Sequence, residues 1–197
     1  MYSDKIMSTV LKNKNKQQLV QLIIITWIVR LLPLVLLFVP NPASNIADFY
    51  KVLFFMIWDS PDCSILKLFG YNVGGTCYFK EYQIMDKASD LLTYLVLLAY
   101  FFKKRTYSDT FLSISMILFI IRAVGVFSFV KTGNSNNLVK YPDFLREFLL
   151  IYLFFQDIYP GVSMKWQMVV YFISVIFKIK LENVMHSRRH LSYHNIN

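Results

Sequence analysis

The sequence predicts an all-α, polytopic membrane protein with about six transmembrane helices, and three observations lead there. Of 197 residues, 56% are hydrophobic and only 17% are charged, against roughly 25% charged residues in an ordinary soluble domain. The mean hydropathy is +0.44. The apolar residues also fall in blocks close to or beyond the ~18 that mark a membrane span. This balance excludes a soluble enzyme, a disordered chain, a collagen and a disulfide scaffold. The net charge is +9, from 21 Lys and Arg against 12 Asp and Glu. No basic stretch outside the apolar blocks carries interleaved base-stacking aromatics, so no nucleic acid is expected. The basic excess reads as membrane topology instead, because Lys and Arg gather on the cytoplasmic side.

Taken in order, residues 1–18 are a polar, basic segment with Lys5, Lys12, Lys14 and Lys16. Leu19 to Val39 is too long for a signal-peptide core and is the first span, ended by Pro40, Asn41 and Pro42. Ile46 to Trp58 is apolar but too short to cross ~30 Å of hydrocarbon. The second span therefore continues through Asp59, Ser60, Pro61 and Asp62 to about Phe69. Gly70, Gly74 and Gly75 mark a loop. The third span runs from Tyr82 to Phe102 and is closed by Lys103, Lys104 and Arg105. Thr110 to Val130, with Arg122 inside, is the fourth. A polar loop from Lys131 to Pro142 leads to the fifth, Asp143 to Tyr159. Pro160 and Gly161 turn the chain into the sixth, Val162 to Ile179.

The membrane domain thus covers residues 19–180, and 181–197 form a basic polar tail. Placing both termini in the cytoplasm puts most of the 21 basic residues inside; Lys103, Lys104 and Arg105 fall outside, against the rule. In this orientation Cys63 and Cys77 face a reducing compartment and are expected as free thiols.

Charges within spans cost about 2.5–3.5 kcal/mol each and mark candidate functional residues. Arg30 lies in the first span, Asp59 and Asp62 in the second, Asp86 and Asp90 in the third, and Arg122 in the fourth. Spacings of three and four place each aspartate pair on one helical face. Four carboxylates brought together repel one another unless a cation sits among them. Hard divalent ions prefer such oxygen ligands and commonly hold a substrate phosphate as well. The same residues also read as solvated helix ends, with Asp86 and Asp90 favouring a helix N-terminus.

These aspartates resemble the signature of the CDP-alcohol phosphatidyltransferases, six-span membrane enzymes. That signature reads D-x-x-D-G-x-x-A-R, eight residues, then G-x-x-x-D-x-x-x-D. Here DSPDCSILK is followed, after a longer gap, by YQIMDKASD. Thr26, Arg30 and Pro33 of ITWIVRLLP resemble the family's first span, and Arg122 falls where many members carry an arginine. Cys63 and Tyr82 stand in place of the two signature glycines, Leu66 replaces the alanine, and Lys67 replaces the arginine.

The resemblance implies that Asp59, Asp62, Asp86 and Asp90 hold Mg²⁺ or Mn²⁺, and that Asp90 is also the general base for the incoming alcohol. Lys67, Arg30, Arg122 and Lys140 would bind phosphate, head group or acceptor. The implied reaction transfers a phosphatidyl or phospho-alcohol group from a CDP-linked donor to a small alcohol, releasing CMP. The expected partners are membrane lipids and these two substrates, with a homodimer as an option. Two rivals stand beside this reading. One is a non-enzymatic membrane protein on the same scaffold with a decayed site, which the lost glycines favour. The other is an ion or proton transporter, which would spread its acids through the membrane depth rather than gather them at one end of two spans.

Overall fold

Pro33 decides how the first segment ends. In the computed structural model, residues 21, 24–25, 27–37, 46–58, 80–134 and 136–193 are described, and every regular element among them is helical. Residues 27–31 are α-helical, and Leu32–Leu37 tighten into a 3-10 turn. Proline has no N–H for the carbonyl four residues back, which is that of Val29. The Trp58 indole Nε1 donates to that oxygen instead, at 3.1 Å. A sequence-encoded break is thus sealed by a side chain from the next helix.

That helix, α1, spans Asp48–Trp58 and buries Val52, Phe55 and Met56. α2 spans Lys80–Lys104 and α3 spans Asp109–Thr132; they lie against each other as a helical hairpin. The turn between them places Arg105 at φ 50°, with its N–H on the Phe101 carbonyl at 3.3 Å. Ser108 caps α3 by accepting from the Phe111 N–H at 3.2 Å. Gly133, left-handed at φ 70°, ends it with its N–H on Phe129, the common glycine stop. A short helix, α4, occupies Asn136–Lys140 within the stretch expected as loop. α5 spans Phe144–Asp157 and α6 spans Met164–Tyr193. α6 runs well into the expected tail, because no glycine or proline after Gly161 interrupts it.

The main core is aromatic. Phe111 stacks on Tyr152 with ring centroids 4.2 Å apart and on Phe148 at 5.7 Å, while Phe101 and Tyr107 meet edge-to-face at 5.1 Å. Leu145, Leu149 and Leu153, spaced at four residues, carry the α5 face into this cluster.

The outer surface is apolar as well. α3 exposes Ile117, Ile120, Val124 and Phe127, and α6 exposes Trp166, Phe172, Ile173, Ile176 and Phe177. Beside the apolar core, buried positions include the charged Arg30, Asp48, Arg122 and Asp143, residue types that are buried only when paired.

Of the six expected spans, α3 alone is both long and apolar enough to cross a membrane among the described residues, with 24 residues and an 18-residue stretch whose mean hydropathy is 2.2. α1 and α5 have 11 and 14 residues, about 17 and 21 Å of helix. α2 and α6 have the length but carry charges, Asp86, Lys87 and Asp90 in one and Lys165, Lys178 and Lys180 in the other. The expected extension of the second span to Phe69, and both cysteines, lie outside the described residues.

Candidate functional site

Asp86 and Asp90 lie one helical turn apart on α2, so their carboxylates share a face. Arg30, from the first helical segment, meets both. Its Nη1 donates to Asp86 Oδ1 at 2.8 Å and its Nη2 to Asp90 Oδ1 at 2.5 Å. Lys87 closes the other side, with Nζ 2.7 Å from Asp86 Oδ2 and 3.3 Å from Asp90 Oδ2. All four carboxylate oxygens therefore face a cation. The Arg30 side chain is only 4% exposed, whereas Asp86 and Lys87 are 22% and 21% exposed. One cation is locked in the bundle and the other sits at its edge.

Arg122 was expected to bind substrate. It is buried on α3 and donates to the Tyr141 carbonyl at 3.1 Å. Its neighbour one turn on, Gly125, makes that docking sterically feasible. A Cβ there would lie 2.5 Å from the Tyr141 Cβ. Arg30, expected as another substrate ligand, is an internal counter-ion of the aspartates. Lys140 is exposed at the end of α4. Asp59, Asp62 and Lys67 lie outside the described residues.

The same face of α2 continues to Tyr94, whose hydroxyl donates to the buried Asp143 Oδ2 at 2.5 Å. Asp143 Oδ1 has no hydrogen-bond partner among the described residues. A cavity of about 20 Å³ opens between Asp90, Thr93, Tyr94 and Arg146, space for about one water molecule.

At the opposite end of α2 sits a second polar cluster. Asp48, 1% exposed, accepts from Lys104 at 2.6 Å, Lys51 at 3.0 Å, Tyr100 at 2.9 Å and Tyr107 at 2.5 Å. Burial and the adjoining Asp48 carboxylate push the Tyr107 hydroxyl well above its ordinary range, so it remains a donor. The Phe49 N–H next door is taken by Asp157 Oδ2 at 2.9 Å. Lys104 belongs to the basic cluster that broke the topology rule, and here it has a buried counter-charge.

Lys87 and Asp48 are the residues missed by sequence reasoning. Lys87 had a local signal, since it lies between the two aspartates and three residues before Asp90. Asp48 had none, because its partners come from 52 to 59 residues away as well as from Lys51.

Among the described residues no group of three or more His, Cys, Asp or Glu is placed to hold a metal ion. The hard oxygens of Asp86 and Asp90 suit Mg²⁺ or Mn²⁺ in kind, but Arg30 and Lys87 already balance their charge. No family model, curated protein or solved structure matches the chain.

Proposed function

We propose that this chain is a multi-pass membrane protein of the CDP-alcohol phosphatidyltransferase kind, with six spans, both termini cytoplasmic and its reaction centre at the Asp86 end of α2. The observation that carries the reading is the convergence of Asp86 and Asp90 on Arg30, which joins the two segments that the family resemblance singles out. The exposed apolar faces of α3 and α6 support a lipid setting, since contiguous apolar surface of this kind otherwise drives association. The length of α2 agrees. Asp86 and Lys104 are 18 residues apart in sequence, about 27 Å along a helix, close to a ~30 Å hydrocarbon core.

In this reading Asp86 and Asp90 would act with Asp59 and Asp62 as metal ligands. A bound Mg²⁺ or Mn²⁺ would supply neutralisation of the donor's diphosphate charge. Asp90 lies nearer the acceptor and takes the proton of its hydroxyl as the oxygen attacks phosphorus and CMP leaves. Lys67 adds a point charge for phosphate, and Arg122 and Lys140 flank the acceptor side. The test is CMP release from CDP-diacylglycerol across a panel of alcohols, such as inositol phosphate, glycerol phosphate and serine, with Mg²⁺ or Mn²⁺. Asp90→Asn should lower that release by about 10²–10⁴-fold, the usual contribution of a general base. Wild-type protein that releases no CMP with any pair would overturn the enzyme reading.

One observation favours a second reading, a non-enzymatic membrane protein on the same scaffold. Arg30 and Lys87 satisfy every oxygen of Asp86 and Asp90, so the pair is stable as an ion cluster in its own right. If restoring the signature glycines by Cys63→Gly and Tyr82→Gly leaves CMP release absent, this second reading stands.

A further inference from the structure

We propose that the cleft between the end of α2 and the first turns of α3 binds a zwitterionic bilayer phospholipid with a primary-amine head group. The proposal rests on the membrane reading of the chain and not on its chemistry, because the cleft lies at the Lys104 end of α2, opposite the Asp86 end. Its volume is about 470 Å³, and Phe102, Asp109, Leu112, Ser113, Met116 and Ile117 line it. That volume falls within the ~300–1,000 Å³ of small-ligand sites. The five α3 residues recur at helical spacing, so they form one stripe along that helix. The stripe is graded. Asp109 stands in the first turn of α3, and the lining becomes apolar at Met116 and Ile117, about 12 Å further along the helix.

An amphiphile lying against α3 meets that gradient in the right order, with its head group at Asp109 and its acyl chain along Leu112, Met116 and Ile117. The cleft is open on its flank, where Ile117 is 57% and Phe102 43% exposed, so a lipid enters sideways from the bilayer. Charge then selects the head group. Lys103 and Arg105, both exposed, lie between Phe102 and Asp109 in the chain and put positive charge beside the mouth, whereas Asp109 puts a carboxylate inside it. Lys104 is taken by Asp48 and has no part. An anionic head group without an amine would meet Asp109 with like charge, but a phosphate joined to an ammonium matches both signs. A primary ammonium also brings N–H donors to the carboxylate, and such charge-assisted bonds are about twice as strong as neutral ones. A quaternary ammonium has no N–H to give.

The experiment is native mass spectrometry of the full-length protein in detergent, with phosphatidylethanolamine, phosphatidylcholine and phosphatidylglycerol added in turn. Phosphatidylethanolamine should bind about tenfold more tightly than either of the others. Asp109→Asn should remove that preference, and Lys103→Gln should weaken all three lipids about fivefold. Ser113→Phe fills the cleft from an exposed position and should abolish the preferential binding at an unchanged Tm. Equal binding of the three lipids by wild type, an amine preference that survives Asp109→Asn, or one that survives Ser113→Phe overturns the site. Alkaline extraction of membranes tests the underlying reading separately. A chain released into the soluble fraction refutes the membrane reading, whereas a chain retained in the membrane but without head-group preference refutes this site alone.

Discussion

At the Lys104 end of α2 one carboxylate, Asp48, receives four side-chain donors from α1, α2 and the turn that follows; at the Asp86 end two carboxylates divide two cations between them. Both ends neutralise charge inside an apolar bundle, yet the physics differs. Asp48 has more donors than it has charge and is 1% exposed, so nothing is left over for a ligand and the cluster acts as a clasp. Asp86 and Lys87 are each about one fifth exposed, so this pairing reaches the edge of the bundle.

The largest effect that separates the two ends should come from removing their carboxylates. Asp48→Asn leaves Lys51 and Lys104 without a counter-charge and should destabilise by about 3 kcal/mol, as expected for breaking a buried pair. Asp86→Asn should cost less, about 1–2 kcal/mol, because Asp90 still faces Arg30. Thermal unfolding of both variants in detergent checks the order, and equal losses would erase the distinction between the two ends.

Next in size is Gly125→Ala, which drives a methyl into Tyr141 and should cost about 1–3 kcal/mol by overpacking. Because Tyr141 carries the carbonyl that Arg122 holds, this variant should also loosen the Asp86 end while leaving the Asp48 clasp intact. Hydrogen exchange localised to α4 and the start of α5 would report it. Protection lost equally at Tyr107 would contradict the separation of the ends.

Smaller again is Trp58→Phe, which orphans the Val29 carbonyl and should cost about 1 kcal/mol. Adding Pro33→Ala restores an N–H that can bond that carbonyl within the helix, so the double variant should recover part of the loss. Failure to recover would show that the indole matters for packing alone. The smallest effect should be a gain. Arg105 holds a left-handed φ of 50°, a conformation costing a non-glycine residue roughly 1–2 kcal/mol. Arg105→Gly should therefore raise stability by up to about 1 kcal/mol, with the Asp48 clasp unaltered in the Tm of the paired Asp48→Asn background.

The helical class, the α3 span and the shared face of Asp86 and Asp90 were read from the chain, whereas the break at Pro33, inside the expected first span, and the Ser108 and Gly133 ends of α3 were passed over although equally local. Each depends on interactions within about one turn of helix: a missing N–H, a capping hydroxyl, a left-handed glycine, a spacing of four. α4 was not legible, because five residues of Asn, Leu, Val and Lys carry little helical pattern until Leu138 is buried against Val126 and Phe129. The internal partners of Arg30 and Arg122 were not legible for a related reason. Sequence marks a charge in a span as costly, but it does not say whether the compensating group is a substrate or another part of the same chain. Tertiary structure decided that question by bringing Arg30 to carboxylates 56 and 60 residues away and Arg122 to the Tyr141 carbonyl. Electrostatic compensation acts through space over a few ångströms, and only the folded chain determines which residues lie that close.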